Sequence, residues 1–347
     1  MTLHSKSEIS LLIIYTGGTI GMVKNPQTGA LQPFDIDNLY HHIPVLENYP
    51  FNIDSYSFDP LIDSSNITPD FVIKIAEVIE EKYELYDGFV VLHGSDTMAY
   101  TASILSFVLE NLNKPVILTG SQLPLGVLRS DGRENIINSI EIASEHEDCT
   151  PLVPEVSICF ENELYRGNRT HKGNAEDFEA FKSDNYHNLA DIGVNIKYHK
   201  DYIKKPNFKR LKVHKRIDNN VTVLKLFPGI SKEVVHSILN IDNLKGVIIE
   251  TYGSGNAPTN EWFLKEIKSA LDKGIYIYSV TQCEEGAVET GKYETGIELY
   301  NMGVVSGYDI TTEAALAKMM YLIGRNLTPK ETKELLAKPL RGEMTIS

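Results

Sequence analysis

The sequence predicts an α/β protein with a larger N-terminal domain, built on a doubly wound and mostly parallel sheet, and a smaller C-terminal α/β domain. Two observations predict this fold. Short apolar runs alternate with segments of helical periodicity, which is the rhythm of consecutive βαβ units. The chain has 347 residues, of which 42% are hydrophobic and 23% charged, so it is long enough for two domains with a sizeable core.

Four apolar runs in the N-terminal part have the length and composition of buried strands. Strands that are apolar throughout fit a parallel sheet covered on both faces. The predicted strands and the helices between them are Leu11–Tyr15, Gly88–Leu92, Pro115–Leu118 and Val156–Phe160, and Asp70–Leu85, Met98–Leu112 and Arg133–Glu145. Thr68 is the candidate N-cap of the first helix, because Pro69 follows it at the first helical position.

The alternation of apolar runs and helical segments is absent from about Asp184 to Asn220, a stretch rich in lysine, asparagine and histidine. We interpret this stretch as an interdomain connection with a short strand. A second βαβ series follows, with predicted strands and helices at Val221–Phe227, Gly246–Thr251 and Ile275–Val280, and at Lys232–Leu239, Asn260–Asp272 and Thr311–Ile323. The segment Thr328–Glu331 has the form of a capping box. We therefore predict a catalytic α/β domain over 1–190, a connection over 191–220 and a C-terminal α/β domain over 221–347.

Composition limits the partners of this chain. Its 33 basic and 47 acidic residues give a formal net charge of −14, which repels nucleic acid and anionic membranes and favours a small-molecule partner. Three widely spaced cysteines, Cys149, Cys159 and Cys283, do not form a disulfide framework, and we interpret them as buried small hydrophobes. The apolar stretch Leu11–Ile14 is too short for a signal sequence or a membrane span, so we expect a cytoplasmic protein.

Two loops rich in hydroxyl groups directly follow predicted strands. They are Tyr15–Gly21, with the sequence Tyr-Thr-Gly-Gly-Thr-Ile-Gly, and His93–Thr97, with the sequence His-Gly-Ser-Asp-Thr. Ligands of open α/β sheets bind beyond the carboxyl ends of the strands, so both loops can face one substrate. Thr19, Ser95 and Asp96 are therefore the leading catalytic candidates, since a threonine becomes a nucleophile when a base removes its proton.

Structural explanations exist for the same residues. Thr16 and Thr19 can serve merely to bond the loop backbone, and the polar segment Asp63–Asn66 can be a plain turn or can bind a small zwitterion. Thr97 can cap the helix that begins near Met98, whose N-terminus also offers an oxyanion site. His93 is interpreted as hydrogen-bonded scaffold rather than as a base.

A cofactor is not expected. The sequence contains no HExxH pair, no Cys/His cluster with zinc spacing, and no glycine pattern of a phosphate or dinucleotide site. We interpret Arg129, Asp131 and Arg133 as a solvated face, with a salt-bridge set at the surface or at an interface as the alternative.

Seven motifs resemble the signatures of the asparaginase/glutaminase family, in particular its cytoplasmic type I branch and the mammalian relatives of that branch. The motifs follow one another in the family's order over nearly the whole chain: Tyr15–Gly21, Asp63–Ser65, His93–Met98, Leu118–Gln122, Tyr165–Arg169, Tyr252–Pro258 and Thr281–Cys283. The resemblance implies the two-domain α/β fold given above and homodimers that often pair into tetramers. It also implies hydrolysis of L-asparagine to L-aspartate and ammonia.

The resemblance also implies roles for individual residues. Thr19 would attack the side-chain amide of asparagine and form a β-aspartyl ester that water then cleaves. Ser95, Asp96 and Lys172 would form a second set that transfers protons. Asp96 and Ser64 would hold the α-amino and α-carboxylate groups of the substrate, with Asp63 and Ser65 beside them.

The chain departs from the family pattern at the active site. Ser95 stands where a threonine is usual, which keeps the oxygen but loses a methyl group that restricts the rotamer. Ala30 stands where many members have a tyrosine on the loop after the first strand. Our hypothesis is that Tyr308 replaces that tyrosine from the neighbouring subunit.

A further departure concerns regulation. Some type I enzymes bind a second asparagine through an arginine and a threonine, where this chain has Glu250 and His171, with Cys283 nearby. A carboxylate cannot pair with the carboxylate of an effector and repels it. We therefore predict weak or absent allosteric activation.

Three other functions compete with asparagine hydrolysis. The first is glutaminase or tRNA-amidotransferase-type amide hydrolysis, because one methylene in a pocket discriminates by only about 1–3 kcal/mol; the amidotransferase subunits carry an extra N-terminal domain, which we do not expect here. The second is a non-catalytic asparagine sensor, which would not need two hydroxyl groups and an amine. The third is a dinucleotide-binding oxidoreductase, which lacks its fingerprint.

Overall fold

The computed structural model describes residues 9–24, 31–33, 43–289 and 294–346. The chain divides into two compact units, one of Met1–Ser183 with His187–Val213 and one of Asp184–Tyr186 with His214–Ser347. Both units are α/β, which confirms the predicted fold class. The domain bounds predicted above stay a prediction.

An eight-stranded sheet forms the centre of the first unit. Its strands are β1 (Ser10–Tyr15), β2 (Asn52–Ser57), β3 (Gly88–Leu92), β4 (Val116–Thr119), β5 (Val156–Phe160), β6 (Glu163–Arg166), β7 (Ala190–Ile192) and β8 (Ile196–Tyr198). They lie in the order β8-β7-β6-β5-β4-β3-β1-β2. The neighbouring strands β2, β1, β3, β4 and β5 pair in parallel. The strands β5, β6, β7 and β8 pair antiparallel.

Three helices belong to this sheet, namely α1 (Pro69–Lys82), α2 (Met98–Val108) and α3 (Gly132–Ser144). The hydroxyl of Thr68 accepts a hydrogen bond from the Phe71 amide, and Pro69 occupies the first turn, as predicted. Every residue of β3 and β5 is buried. The uniformly apolar runs therefore mark the interior strands, in agreement with the sequence.

The register of the parallel strands sets the position of the loops. Tyr15 at the end of β1 is paired with Leu92 at the end of β3, and Leu92 is paired with Thr119 at the end of β4. Thr16 continues the ladder through its backbone amide, which donates to the carbonyl oxygen of Leu92 over 3.1 Å. The two hydroxyl-rich loops and the loop after β4 therefore leave the same edge of the sheet.

Several strands of the first unit were not predicted from the sequence pattern. Strand β2 lies at the edge of the sheet and is largely polar. Exposed and partly buried residues roughly alternate along it, so it lacks the apolar run that is typical of an interior strand. Strands β7 and β8 lie within the polar stretch that we interpreted as a connection, and they extend the first sheet. Shorter pairs join Met22–Lys24 to Leu31–Pro33, Leu109–Glu110 to Lys212–Val213, His146–Glu147 to Thr150–Pro151, and His171–Lys172 to Phe181–Lys182.

The second unit has a four-stranded parallel sheet. Its strands lie in chain order, β9 (Val221–Lys225), β10 (Gly246–Thr251), β11 (Tyr276–Thr281) and β12 (Val305–Ser306). Its helices are α4 (Lys232–Leu239), α5 (Glu261–Asp272), α6 (Glu294–Met302), α7 (Thr312–Ile323) and α8 (Pro329–Leu336). The predicted capping box is confirmed at α8, where Thr328 and Glu331 bond each other's backbone amides.

A buried lysine fixes the C-terminal segment of the second unit. The fully buried Lys318 ammonium lies 2.7 Å from the carboxylate of Glu343, which is also fully buried. It donates to the carbonyl oxygens of Leu336 and Lys338 over 2.9 and 2.6 Å. Because an unpaired buried charge is costly, this pair requires that the C-terminal segment stays packed on α7.

The cysteine interpretation is correct for one residue and wrong for two. Cys159 is fully buried, and burial raises the pKa of its thiol to about 12. Cys149 and Cys283 are exposed, because both lie in loops beyond the ends of regular elements.

Among the residues described, no helix is both long and apolar enough to cross a membrane.

Candidate active site

Two glycines shape the loop that follows β1. Gly17 and Gly18 have φ angles of 132° and 89°, which favour glycine. A Cβ on Gly17 would lie 2.2 Å from the carbonyl oxygen of Ile62, and one on Gly18 would lie 2.6 Å from the Gly94 nitrogen. The glycines therefore allow three backbone segments to meet at the sheet edge. This close approach accounts for both glycines, so a phosphate-binding role is not needed to explain them.

The two threonines of this loop have different environments. Thr16 is fully buried, and its hydroxyl donates to the carbonyl oxygen of Leu92 over 2.9 Å. The backbone-bonding interpretation therefore holds for Thr16. Thr19 begins a short 3-10 turn, Thr19–Gly21, and lines the cavity described below.

A buried tyrosine holds the turn that carries Thr19. The hydroxyl of Tyr15 donates to the carbonyl oxygen of Gly21 over 2.9 Å. Burial raises the pKa of Tyr15 to about 12, so this hydroxyl stays protonated as a donor. The last residue of β1 thus fixes the far end of the turn.

Lys172 connects the second predicted hydroxyl to a carboxylate. Its ammonium donates to the Ser95 hydroxyl over 2.9 Å and to the Asp96 carboxylate over 2.7 Å. The lysine side chain is 17% exposed and that of Asp96 is 66% exposed. The structure therefore brings together the three residues that the resemblance grouped, and Lys172 is not a solvated surface lysine.

The polar segment 63–66 forms a 3-10 turn against the second loop. The Asp63 carboxylate accepts from the amide and the hydroxyl of Ser65 over 2.8 and 2.7 Å, and these bonds lower the pKa of Asp63. Ser64 is buried and lies so close to Gly94 that a Cβ there would be 2.4 Å from the Ser64 hydroxyl oxygen. The turn interpretation is thus correct, and it presents Asp63 and Ser64 to the cavity.

Thr97 does not cap α2 through its side chain, contrary to one of our expectations. Its hydroxyl donates instead to the carbonyl oxygen of Ser64 over 2.7 Å. The reason is the neighbouring turn, whose carbonyl oxygen accepts the proton of this hydroxyl. Thr97 therefore ties the loop after β3 to the segment 63–66.

Sequence reasoning missed the part that Gln122 and Asp131 play. Gln122 lines the cavity, and its amide oxygen lies 3.4 Å from the Ser95 hydroxyl. The Asp131 carboxylate accepts from the backbone amides of Gln122 and Leu123 over 2.9 and 3.1 Å. The solvated-face interpretation is wrong for Asp131, because two backbone amides of the loop need an acceptor. It holds for Arg129 and Arg133, which are exposed.

These residues line one cavity of about 280 Å³ at the carboxyl edge of the first sheet. Its functional groups come from four loops and one short strand and are Thr19, Asp63, Ser64, Ser95, Asp96, Gln122 and Lys172. Hydroxyl, ammonium and carboxylate groups thus converge on a space that suits a small polar molecule. Ser65 is not among the lining residues, because its hydroxyl is directed to Asp63.

His93 is scaffold, as interpreted from the sequence. Its ring is fully buried, with Nδ1 2.6 Å from the Gly94 carbonyl oxygen and Nε2 2.9 Å from the Thr101 hydroxyl. Because a carbonyl oxygen only accepts, Nδ1 carries the proton. Burial lowers the pKa of His93 to about 4, although the bond to Gly94 opposes this shift.

Two residues predicted to act in catalysis or regulation lie in the second unit with defined local contacts. Tyr308 has a φ of 53°, and its backbone amide donates to the Ser306 hydroxyl over 3.1 Å. The Glu250 carboxylate accepts from the Thr312 hydroxyl over 2.9 Å and lies 3.3 Å from the ammonium of Lys225. The loop position Ala30, used in the argument for Tyr308, lies outside the described residues.

Together, the fold and the cavity define a two-domain α/β protein with a polar small-molecule site at the edge of its larger sheet. Residues 10–204 match the family described as Asparaginase, N-terminal, and residues 220–336 match the Glutaminase/Asparaginase C-terminal domain. The chain belongs to the asparaginase family, which confirms the resemblance.

Individual relatives agree over almost the whole chain. L-asparaginase 1 of Escherichia coli K12 is 43% identical over 341 residues, which cover 97% of this chain and 98% of that protein. The 60 kDa lysophospholipase of Mus musculus is 41% identical over 362 residues, but the chain spans only 63% of its length. The crystal structure of L-asparaginase I from Vibrio cholerae is 40% identical and covers 98% of this chain and all of its own, with a TM-score of 0.89.

We expect His93 to make the fold less stable in weak acid. Its pKa is about 4 in the folded protein and about 6.5 when unfolded. Between these values only the unfolded chain binds the proton, so stability falls as the pH drops from 6.5 to 4, by at most about 3 kcal/mol. Urea unfolding at several pH values measures this loss.

The matched comparison uses two variants. His93→Gln removes the titrating ring, so the part of the loss that His93 causes disappears. His187→Gln removes an exposed histidine and should keep the wild-type pH dependence. If both variants follow the wild type, His93 does not cause the loss.

Proposed function

We propose that this protein is an L-asparagine amidohydrolase that produces L-aspartate and ammonia. The observation that carries the proposal is the contact of Lys172 with Ser95 and Asp96, over 2.9 and 2.7 Å, in the cavity that Thr19 also lines. Family membership and the relatives named L-asparaginase support the same reaction.

Thr19 is the proposed nucleophile. Its hydroxyl oxygen attacks the carbonyl carbon of the asparagine side chain, and its proton passes to a base. The carbon–nitrogen bond then breaks, and ammonia leaves with a transferred proton. Water cleaves the resulting β-aspartyl ester and regenerates Thr19. The hydroxyl is held on a turn fixed by Tyr15, which favours a defined angle of attack.

Ser95, Lys172 and Asp96 form the proposed proton-transfer set. The short distances let a proton move between the Ser95 hydroxyl and the lysine amine, while the Asp96 carboxylate stabilises the ammonium that results. Because Asp96 is mostly exposed and Lys172 is not, the carboxylate oxygens not used by lysine remain able to bind the substrate amino group. Ser64 is proposed to bind the α-carboxylate, with Asp63 and Ser65 beside it.

Two proposals concern the assembled protein. Homodimers or tetramers are implied by the family resemblance, and Tyr308 of a neighbouring subunit is proposed to activate Thr19. Loss of allosteric activation is proposed from Glu250, whose carboxylate already binds Thr312 and Lys225. An effector carboxylate would meet a negative charge there. His171 and Cys283 would be the remaining members of that degenerate site, and we also propose a cytoplasmic location.

Glutamine hydrolysis, amide hydrolysis of the tRNA-amidotransferase type, and asparagine sensing are the alternative functions. The first two use the same groups, so glutamine is expected as a weaker substrate. Sensing is less favoured because binding alone does not require an amine between a hydroxyl and a carboxylate.

Replacement of Thr19 by alanine should lower kcat for ammonia release from L-asparagine at least about 10³-fold, because the nucleophile is lost. Thr19→Ser keeps an attacking oxygen and should retain measurable turnover. Ammonia assays on the wild type and both variants, with aspartate binding as a folding control, make the test. Wild-type binding of asparagine without turnover would favour the sensor instead.

Mixed dimers test the source of the tyrosine. Tyr308→Phe alone should lower kcat, and Thr19→Ala alone should be inactive. In a dimer of one Tyr308→Phe and one Thr19→Ala subunit, one site regains both groups if Tyr308 acts across the interface. About half of the wild-type activity per dimer is then expected. A mixed dimer with only about half of the lowered activity of the Tyr308→Phe dimer would place Tyr308 in the same subunit as its threonine.

The rate of ammonia release should depend hyperbolically on asparagine concentration, because Glu250 opposes binding of a second asparagine carboxylate. Initial rates over a concentration range of about a thousandfold measure the shape of the curve. A sigmoidal curve would contradict the predicted loss of allosteric activation, and Glu250→Gln indicates whether the charge is responsible.

A further inference from the structure

We propose that Gln122 is a positioning residue that fixes the rotamer of Ser95 for proton transfer. This inference rests on the proposed function, since that function assigns Ser95 to the reaction. It concerns a side chain that lines the cavity but has no role in the scheme above.

The contacts of Gln122 define the orientation of its amide. The amide nitrogen lies 2.8 Å from the carbonyl oxygen of Asp177 and 3.4 Å from that of Ala175. Both carbonyl oxygens can only accept, so the NH₂ group must face them. The amide oxygen therefore faces the Ser95 hydroxyl, 3.4 Å away. A flipped amide would place two acceptors against each other.

This orientation determines where the Ser95 proton points. The Lys172 ammonium donates to the Ser95 oxygen over 2.9 Å, so that oxygen must send its own proton elsewhere. The Gln122 amide oxygen is an acceptor in that direction. Ser95 is thus held between a donor and an acceptor, which fixes its rotamer and keeps its oxygen 2.9 Å from the lysine nitrogen with which it exchanges a proton.

Serine needs such a restraint more than threonine does. A threonine has two heavy atoms on Cβ and is stiff at χ1, whereas serine lacks that restriction. The contact of 3.4 Å is long, and catalytic hydrogen bonds of this kind tighten when the substrate is bound. Gln122 therefore supplies from outside the restraint that the missing methyl group would have supplied.

The backbone that carries Gln122 is itself held in place. The Asp131 carboxylate accepts the backbone amides of Gln122 and Leu123. The side-chain nitrogen of Asn135 donates to the Gly120 carbonyl oxygen over 2.9 Å. The side-chain oxygen of Asn135 accepts from the backbone amide of Glu161 over 2.8 Å. A side chain that starts from a fixed backbone loses little entropy when it positions a second group. The network behind Gln122 thus fits a positioning role.

Gln122→Met tests the role, because methionine has a similar length but no amide. We expect kcat to fall about 10- to 100-fold, as expected for a displaced reacting group, with KM changed less than about threefold. Gln122→Glu keeps an accepting oxygen towards Ser95 but cannot donate to the two carbonyl groups. It should lose less kcat than Gln122→Met. Asn113→Leu is the matched control, because Asn113 also binds two backbone carbonyl oxygens but does not line the cavity.

A double-mutant cycle with Ser95→Thr separates positioning from a purely structural role. The β-methyl group of threonine restricts the same rotamer, so the loss caused by Gln122→Met should be at least about fivefold smaller when it is combined with Ser95→Thr. A role limited to holding residues 175–177 would give the same loss with and without Ser95→Thr.

The outcomes separate this inference from the proposed function. An unchanged kcat in Gln122→Met, equal losses with and without Ser95→Thr, or a kcat loss in Asn113→Leu as large as in Gln122→Met would overturn the inference alone. Absence of wild-type turnover, or turnover that survives Thr19→Ala, would overturn the proposed function and the inference with it. Melting temperatures of all variants identify losses that come from unfolding.

Discussion

Close approach of three backbone segments at the carboxyl edge of the first sheet is the constraint on which the site depends. Gly17 and Gly18 have no Cβ, so the loop after β1 can lie directly against Ile62 and Gly94. Any other residue at these two positions would place a Cβ 2.6 Å or less from backbone atoms of the neighbouring segments. The parallel register of β1 and β3 brings the loops to the same edge, and the glycines let their hydroxyl groups share one cavity.

Within this frame, the polar groups depend on one another. Ser95 alone is an ordinary hydroxyl, but Lys172 and Gln122 bind it from two sides. Lys172 in turn comes from a two-residue strand paired with Phe181–Lys182, outside the large sheet. The carboxylates differ in accessibility, since Asp131 is committed to backbone amides while Asp96 is mostly exposed. That difference separates a structural carboxylate from one available to a substrate.

The sequence predicted the interior of the fold well because buried parallel strands are apolar throughout. It did not predict β2, whose edge position permits polar residues. It also missed β7 and β8, because the antiparallel pairing of β7 with β6 and of β8 with β7 depends on tertiary contacts rather than on composition. The motif residues Thr19, Ser95 and Asp96 were found because they follow predicted strands. Lys172 came only from the family resemblance, and the contacts of Gln122 depend on tertiary structure.

The site therefore has two kinds of parts with different tolerance to change. The glycine loop is fixed by sterics, where a single added carbon meets backbone atoms that cannot move independently. The proton-transfer set is fixed by hydrogen bonds, which other side chains of suitable length can replace. Serine at position 95 is an instance of such replacement, because Gln122 can restrain a rotamer that a methyl group would otherwise restrain. Variation of the hydroxyl is tolerable as long as the neighbouring amide remains in place, whereas variation of Gly17 or Gly18 is not.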